Sequence, residues 1–66
     1  MKNTLKIERA VKSITQEELA RAIGVSRQTI NAMEAGKYVP STVLALKIAR
    51  YFNKKVENIF ELEQDD

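Results

Sequence analysis

The sequence contains no cysteine and no histidine. Disulfide bonds are therefore excluded, and a structural zinc site lacks its usual nitrogen and sulfur ligands. A chain of 66 residues buries only about 60% of the surface that its unfolded form exposes, so domains of this size commonly need a disulfide, a metal or a partner subunit. We expect no metal and no cofactor here, and we expect stability to come from helix packing, oligomerisation or both.

The sequence also lacks any long apolar run, since the longest is Val43–Leu46. A membrane-spanning helix needs roughly 20 apolar residues. Charged residues interrupt the N-terminal segment that would have to form a signal peptide, which predicts a cytoplasmic protein without membrane contact. The content of 44% hydrophobic and 30% charged residues is typical of one soluble globular domain, here residues 1–66.

Acidic residues are few outside the C-terminal end of the chain. Residues 1–55 contain all eleven Lys and Arg residues but only four acids, a formal charge of +7, whereas residues 56–66 contain five acids and no base. The net charge of +2 therefore conceals a basic body and an acidic tail, residues 61–66. A basic body favours a polyanionic partner, although charge alone does not identify it.

Apolar residues recur at helical spacing along most of the chain, which predicts an all-α bundle of four to five short helices. Ile7, Val11 and Ile14 predict the buried face of a first helix over residues 4–13. The buried positions expected of a fourth helix are Leu44, Ala45, Ile48, Ala49 and Phe52. Residues 56–60 predict one further helical turn, and residues 60–62 alternate as in a short strand.

The most informative segment, residues 16–36, reads QEELARAIGVSRQTINAMEAG. Thr15 and Glu18 form a capping-box pattern that starts one helix, and Gly24 ends it. Ser26 can cap the next helix, and Gly36 can end that one. The apolar positions suited to two crossing helices are Leu19, Ile23, Val25, Ile30 and Met33. The pattern predicts a helix-turn-helix over about residues 16–35, whose second helix enters the DNA major groove; the alternative is an αα-hairpin that serves only for packing.

The chain resembles the phage-repressor-like helix-turn-helix domains, also called Xre-type or lambda-repressor-like. The matching stretches are TQEELARAIGVSRQTINAMEAGKY, then PS, LALKIARYF and ENIF. The resemblance covers about residues 5–60 and is greatest to short stand-alone regulators. It implies a sequence-specific DNA-binding protein built as a compact helical bundle.

The resemblance implies that Arg27, Gln28 and Asn31 read bases from the second helix of the motif. Their chemistry suits this task, because arginine binds guanine O6 and N7 with two hydrogen bonds, and Gln or Asn does the same for adenine N6 and N7. The alternative for each is a solvated surface side chain. The residues that the resemblance assigns to the DNA backbone are Gln16, Ser26, Thr29, Lys37 and Tyr38. Ser26 is in addition expected to cap its helix.

The resemblance also implies a structural ion pair between Arg9 and Glu34. If it is buried, removing one partner costs about 3–5 kcal/mol, whereas an exposed pair contributes about 0–1 kcal/mol. Glu8 departs from the family pattern, because many members have leucine there, and a slight rotation of the first helix would let Ile7 compensate.

A homodimer is expected, because one unit reads only three or four base pairs and two units on a near-palindromic site double this readout. The candidate dimer residues are Val39, Val43, Phe60 and Leu62. In the regulators that the chain resembles, a C-terminal strand pairs near the N-terminus, and residues 59–63 are expected to do so here. The acidic tail is then expected to lie far from the phosphates.

These observations predict a transcriptional regulator, most simply a repressor that binds double-stranded DNA. The alternative is an antitoxin or anti-repressor that uses the same fold to hold a protein partner. An enzyme is not expected, because no nucleophile–base arrangement can be built without histidine, cysteine or paired acids.

Overall fold

The computed structural model describes all 66 residues and consists of four short helices, a 3-10 turn and a small terminal sheet. In chain order the elements are β1 (Lys2–Asn3), α1 (Leu5–Lys12), α2 (Gln16–Ile23), α3 (Arg27–Glu34), α4 (Thr42–Phe52), the 3-10 turn (Val56–Asn58) and β2 (Phe60–Glu61). This confirms the predicted helical bundle with a short C-terminal strand. The longest helix, α4, has 11 residues, and none of the helices meets the length and hydrophobicity that a membrane span requires.

The helix boundaries follow local signals in the sequence. Thr15 forms a complete capping box at the start of α2, accepting a hydrogen bond from the Glu18 N–H while the Glu18 carboxylate accepts one from the Thr15 N–H. Ser26 caps α3 through a bond from the Thr29 N–H. Gly24 ends α2 with a φ of 87°, a left-handed conformation that glycine adopts without penalty. The three signals define the two helices of the motif as predicted.

One continuous core lies between the helices and the terminal sheet. Its buried members are Leu5, Leu19, Ala20, Ile23, Ile30, Met33, Leu44, Ile48, Ala49, Phe52, Ile59 and Phe60. Of the five apolar positions predicted for the helix-turn-helix, four are buried and Val25 is half-buried against them. The inner faces of α2 and α3 are therefore fixed by packing, which leaves their polar faces at the surface.

The terminal sheet joins the two ends of the chain and connects them to α3. The strands are antiparallel, with Lys2 opposite Glu61 and Asn3 opposite Phe60. The Asn3 Nδ2 atom donates to the Met33 carbonyl at 2.8 Å, and its Oδ1 atom accepts from the Leu5 N–H at 3.1 Å. One side chain thus links β1, the start of α1 and the last turn of α3.

The predicted buried face of α1 is wrong. Ile7 and Val11 are 63% and 76% exposed, and the residues of α1 that face the core are Leu5 and Glu8. The helix ends at Lys12, so Ile14 belongs to the following turn and cannot continue a helical stripe. Ile7 therefore does not compensate for Glu8.

Glu8 occupies its buried position because it has a charged partner. Its carboxylate lies 2.7 Å from the Lys54 ammonium, just beyond α4, and its side chain is 8% exposed. A buried carboxylate is tolerated when it is paired in this way. An ion pair between α1 and the residue that follows the cap of α4 thus holds a carboxylate at this buried position.

Candidate nucleic-acid interface

The α2–α3 pair presents a polar surface on the side away from the core. The turn between the helices is tight, since the N–H groups of Gly24 and Val25 both donate to the Ala20 carbonyl, at 2.8 and 3.0 Å. Burial of Ile30 and Met33 fixes the rotation of α3 about its axis. The first turns of α3 are therefore held with a defined face toward solvent.

The three predicted base-reading residues lie together on this face. Arg27, Gln28 and Asn31 are all exposed, and with Gln16 they line one shallow polar depression. Arg27 has no ion-pair partner within the chain. The arrangement thus offers an unpaired guanidinium and two carboxamides from a single helical face, the groups that hydrogen-bond to purine edges in the major groove.

The predicted backbone-contacting residues occupy two places around the base-reading face. At the start of α3 the hydroxyls of Ser26 and Thr29 lie 2.9 Å apart and bond to each other, and Ser26 also caps the helix. Lys37 and Tyr38 are exposed in the loop after α3. Their assignment to DNA phosphates stays a prediction.

Gln16 has a role that sequence reasoning missed. It is half-buried, and its Nε2 atom donates to Glu34 Oε1 at 3.1 Å and to Asn31 Oδ1 at 3.3 Å. The side chain predicted to contact a phosphate is thus bonded to one of the predicted base-reading residues. No sequence signal indicates this contact, because it depends on how α2 crosses α3.

Arg9 and Glu34 are in contact, as the resemblance implies. The guanidinium binds the carboxylate through two bonds, Nε to Oε2 at 2.5 Å and Nη2 to Oε1 at 3.0 Å, and Nη1 donates to the Ile14 carbonyl at 3.0 Å. The two side chains are only 16% and 7% exposed. The pair is therefore largely buried and is closer to the buried case than to the exposed one.

The electrostatics of the pair keep Glu34 ionised. Burial raises the pKa of the Glu34 carboxyl, but hydrogen bonds from Arg9 and Gln16, together with the charges of Arg9 and Lys6, outweigh burial and hold the pKa below its ordinary value. The hydrogen bond to Glu34 raises the pKa of Arg9. Both partners are charged at neutral pH.

The predicted dimer residues separate into exposed and buried ones. Val39, Val43 and Leu62 are 62%, 64% and 77% exposed, whereas Phe60 is 7% exposed and packs in the core of its own chain. Sequence reasoning missed Leu46, which is 55% exposed and lines an apolar groove together with Val39. The signal was available, because Val43 and Leu46 are three positions apart and off the buried stripe of α4.

The acidic tail folds back on the start of the chain. The N-terminal ammonium lies 2.9 Å from a Glu63 carboxylate oxygen and 3.2 Å from one of Asp66. Glu63 also lines a shallow depression with Gly36, the residue before Lys37. Glu63 of the tail thus lies near the loop that contains Lys37, whereas the sequence predicts a tail far from the phosphates.

Comparisons with known proteins agree with this geometry. The helix-turn-helix family model matches residues 5–59. Full-length relatives named as HTH-type transcriptional regulators are 58% identical in Methanocaldococcus jannaschii and 48% identical in Bacillus subtilis, each over all of both chains. The ImmF control region 10 kDa protein of Bacillus phage phi105 is 39% identical over 74% of this chain and 54% of its own length. The chain therefore belongs to the Xre-type helix-turn-helix family of transcriptional regulators.

Proposed function

We propose that the protein is a repressor that binds a specific double-stranded DNA operator as a homodimer. The observation that carries this proposal is the placement of Arg27, Gln28 and Asn31 on the solvent face of a helix whose opposite face is buried. In the proposed complex the first turns of α3 enter the major groove. Arg27 then pairs with a guanine, and the two carboxamides reach adjacent base edges.

Charge around this face supports a nucleic-acid partner. Arg27 is unpaired, and Lys37 lies in the loop that follows α3. Cations that contact phosphates release condensed counterions, so binding is expected to weaken as salt rises, with a logarithmic slope of about −0.9 for each phosphate neutralised.

The proposed dimer buries the exposed apolar side chains of Val39, Val43, Leu46 and Leu62, of which Val39 and Leu46 line one groove. All four side chains are more than half exposed in the single chain. Joining two copies across these side chains removes apolar surface from water and adds to the small core. Two copies related by a two-fold axis are expected to place their recognition helices about 34 Å apart on a near-palindromic site. A dimer bound at a promoter blocks access of the polymerase.

Selection of duplexes from random DNA tests the proposal, because one experiment reports sequence preference, half-site spacing and symmetry. The wild-type chain is expected to enrich a near-palindrome with half-sites about one helical turn apart. The double variant Arg27→Ala, Gln28→Ala is expected to lose the preference. The matched control is Arg50→Ala on α4, an exposed arginine outside the α2–α3 face, and it is expected to keep the preference.

The outcomes separate the parts of the proposal. Retention of the operator preference by the double variant would show that other residues read the bases. Enrichment of single, asymmetric half-sites would refute the dimer. A wild-type chain that selects no duplex would refute the function, and a stable complex with a toxin-like protein encoded beside the gene would then support the protein-interaction alternative. In vitro transcription from a promoter that carries the selected site is expected to fall as protein is added.

A further inference from the structure

Most cationic side chains of the protein have no part in the proposed DNA contacts. Of the eleven Lys and Arg residues, the two assigned to DNA are Arg27 and Lys37. The four acids of residues 1–55 do not neutralise the remainder. Two of them already form ion pairs within the chain, and the other two, Glu17 and Glu18, are in the first turn of α2. The DNA-reading function therefore leaves a surplus of cations unexplained.

Three of these cations lie at a shallow groove between α2 and α4. The residues that line this α2–α4 groove are Ala22, Ile23, Lys47, Arg50 and Tyr51. The third cation is Lys12 of α1, whose Nζ atom lies 4.7 Å from the centroid of the Tyr51 ring. Side chains from three helices therefore bring positive charge to one place.

The cations at the α2–α4 groove have no counter-charge within the chain. Lys12, Lys47 and Arg50 are exposed, and none of them forms an ion pair. The lining contains no Asp or Glu. Lys47 and Arg50 are three positions apart on α4, where like charges are neighbours and repel each other. An anionic ligand that binds between them relieves this repulsion.

The other side chains of the groove favour a protein over a nucleic acid. Ile23 is 5% exposed, and the half-buried Tyr51 ring meets the edge of Phe52 with a centroid distance of 5.1 Å. Protein interfaces combine an apolar centre with a polar rim, whereas the backbone of a duplex offers phosphate and sugar. A peptide can place a carboxylate at the rim and an apolar side chain on the floor from neighbouring positions.

The acidic tail of the chain is engaged elsewhere. Glu63 and Asp66 bind the N-terminal ammonium at 2.9 and 3.2 Å. The Glu63 N–H also donates to Asp66 Oδ2 at 2.7 Å. A tail that is folded onto its own N-terminus in every copy is not free to fill the groove, so the acidic segment has to come from a different protein.

We infer that the α2–α4 groove binds an acidic segment of a partner protein. Carboxylates of the partner meet Lys47, Arg50 and Lys12, and an apolar side chain between them packs against Tyr51. No residue of the groove belongs to the base-reading face or to the proposed dimer residues. The partner therefore binds while α3 is on DNA, and the groove gives the regulator a contact with a second protein at the promoter.

The test is a nuclear magnetic resonance titration of the full chain with a capped peptide in which one leucine stands between pairs of glutamates. The largest amide shifts are expected at the groove. Arg50→Glu is expected to weaken binding about 5-fold or more, because one exposed ion pair contributes up to about 5-fold and the reversed charge adds repulsion. The matched control is Lys55→Glu, the same charge change at an exposed, unpaired residue outside the groove, and it is expected to bind within about 2-fold of wild type.

Changes in the peptide test the two parts of the contact without altering the fold. Serine in place of the leucine is expected to weaken binding about 5-fold or more, because the apolar burial is lost. Lysines in place of the glutamates are expected to abolish binding. Circular dichroism and the melting temperature of Arg50→Glu check that this exposed substitution leaves the helices intact.

Several results would overturn the inference. One is the absence of shifts at the groove up to about 10 mM peptide, and another is equal weakening by Arg50→Glu and Lys55→Glu. Displacement of the peptide by saturating operator would place the groove within the DNA interface, and groove shifts caused by a random duplex but not by the peptide would make it a second DNA contact. The peptide titration uses no DNA, so a wild-type chain without operator preference would overturn the proposed function alone.

Discussion

Replacing Arg9 with methionine tests the contribution of the ion pair that joins α1 to the end of α3. Methionine keeps much of the length of the side chain and removes the charge. Glu34 then remains as a carboxylate that is 7% exposed, with Gln16 as its remaining hydrogen-bond donor. A buried charge that loses its partner destabilises a fold strongly, because its desolvation is no longer offset.

The expected cost of Arg9→Met is about 3–5 kcal/mol, the range for breaking a buried pair. A domain of this length has a total stability of about 3–10 kcal/mol. The variant is therefore expected to lose a large share of its stability, and its melting temperature is expected to fall by about 12 °C or more. The double variant Arg9→Met, Glu34→Met removes both charges and is expected to recover much of the loss.

The pH dependence of this loss provides a second measurement. In the wild-type chain the pKa of Glu34 is lowered by folding, so its contribution is complete above the unfolded pKa of about 4.3 and is lost as the pH falls through the folded value. Without Arg9, the effect of burial on Glu34 is no longer outweighed by the ion pair, so the pKa of Glu34 is expected to rise. Protonation of Glu34 then removes the unpaired buried charge and reduces the loss of stability in the variant. The difference in stability between the two chains should therefore narrow from pH 7 to about pH 4.

Urea denaturation followed by circular dichroism measures both effects, at one fixed protein concentration because the proposed dimerisation would add to the apparent stability. A loss below about 1 kcal/mol at pH 7 would refute the reasoning, since that is the range of exposed ion pairs. So would a loss that is the same at pH 7 and pH 4, because it would not originate from the charge of Glu34.

Lys54→Met is expected to destabilise the fold by about 1–3 kcal/mol, because it leaves the buried Glu8 carboxylate without its partner. Glu8→Leu is expected to cost less, because it removes the buried charge itself. Equal losses of the two variants in urea denaturation would contradict this order. Leu46→Asp is expected to convert the proposed dimer to monomers in analytical ultracentrifugation while helical content is retained, and a dimer that persists in the variant would place the interface elsewhere. Thr15→Ala removes the capping box and is expected to lower stability by about 0.5–2 kcal/mol in the same denaturation assay. A Thr15→Ala chain as stable as wild type would show that another group satisfies the start of α2.

The helix-turn-helix was predictable because its signals are local. A capping box joins two residues three positions apart, and a glycine stop or a serine cap acts on the adjacent turn. Thr15, Gly24 and Ser26 therefore indicate the boundaries of α2 and α3 before any tertiary contact is known. The inner faces followed from helical spacing within each segment.

The orientation of α1 was not predictable for the opposite reason. Its inner face contains Glu8, which is stabilised there by Lys54, 46 positions further along the chain. Periodicity alone assigns a glutamate to the solvent face and Ile7 to the core. The competing long-range ion pair reverses that assignment, and nothing in the local sequence indicates it.

The candidate site shows the same division between local and long-range information. That Arg27, Gln28 and Asn31 share one exposed face follows from their spacing on α3. The hydrogen bonds from Gln16 to Asn31, fifteen positions away, and to Glu34 depend on how α2 crosses α3. Residue identity at such a surface can be read from the sequence, whereas hydrogen-bond direction requires the structure.

The link made by Asn3 has a consequence for the motions of the protein. Two-residue strands contribute few hydrogen bonds, and chain ends are the usual place where local opening begins. When β1 separates from β2, the bond from Asn3 to the Met33 carbonyl is the contact through which that opening reaches the last turn of α3. Amide hydrogen exchange in the terminal sheet and at the end of α3 should therefore occur in a common opening event. The lifetime of the candidate DNA-reading surface is then set in part by how often the two ends of the chain come apart.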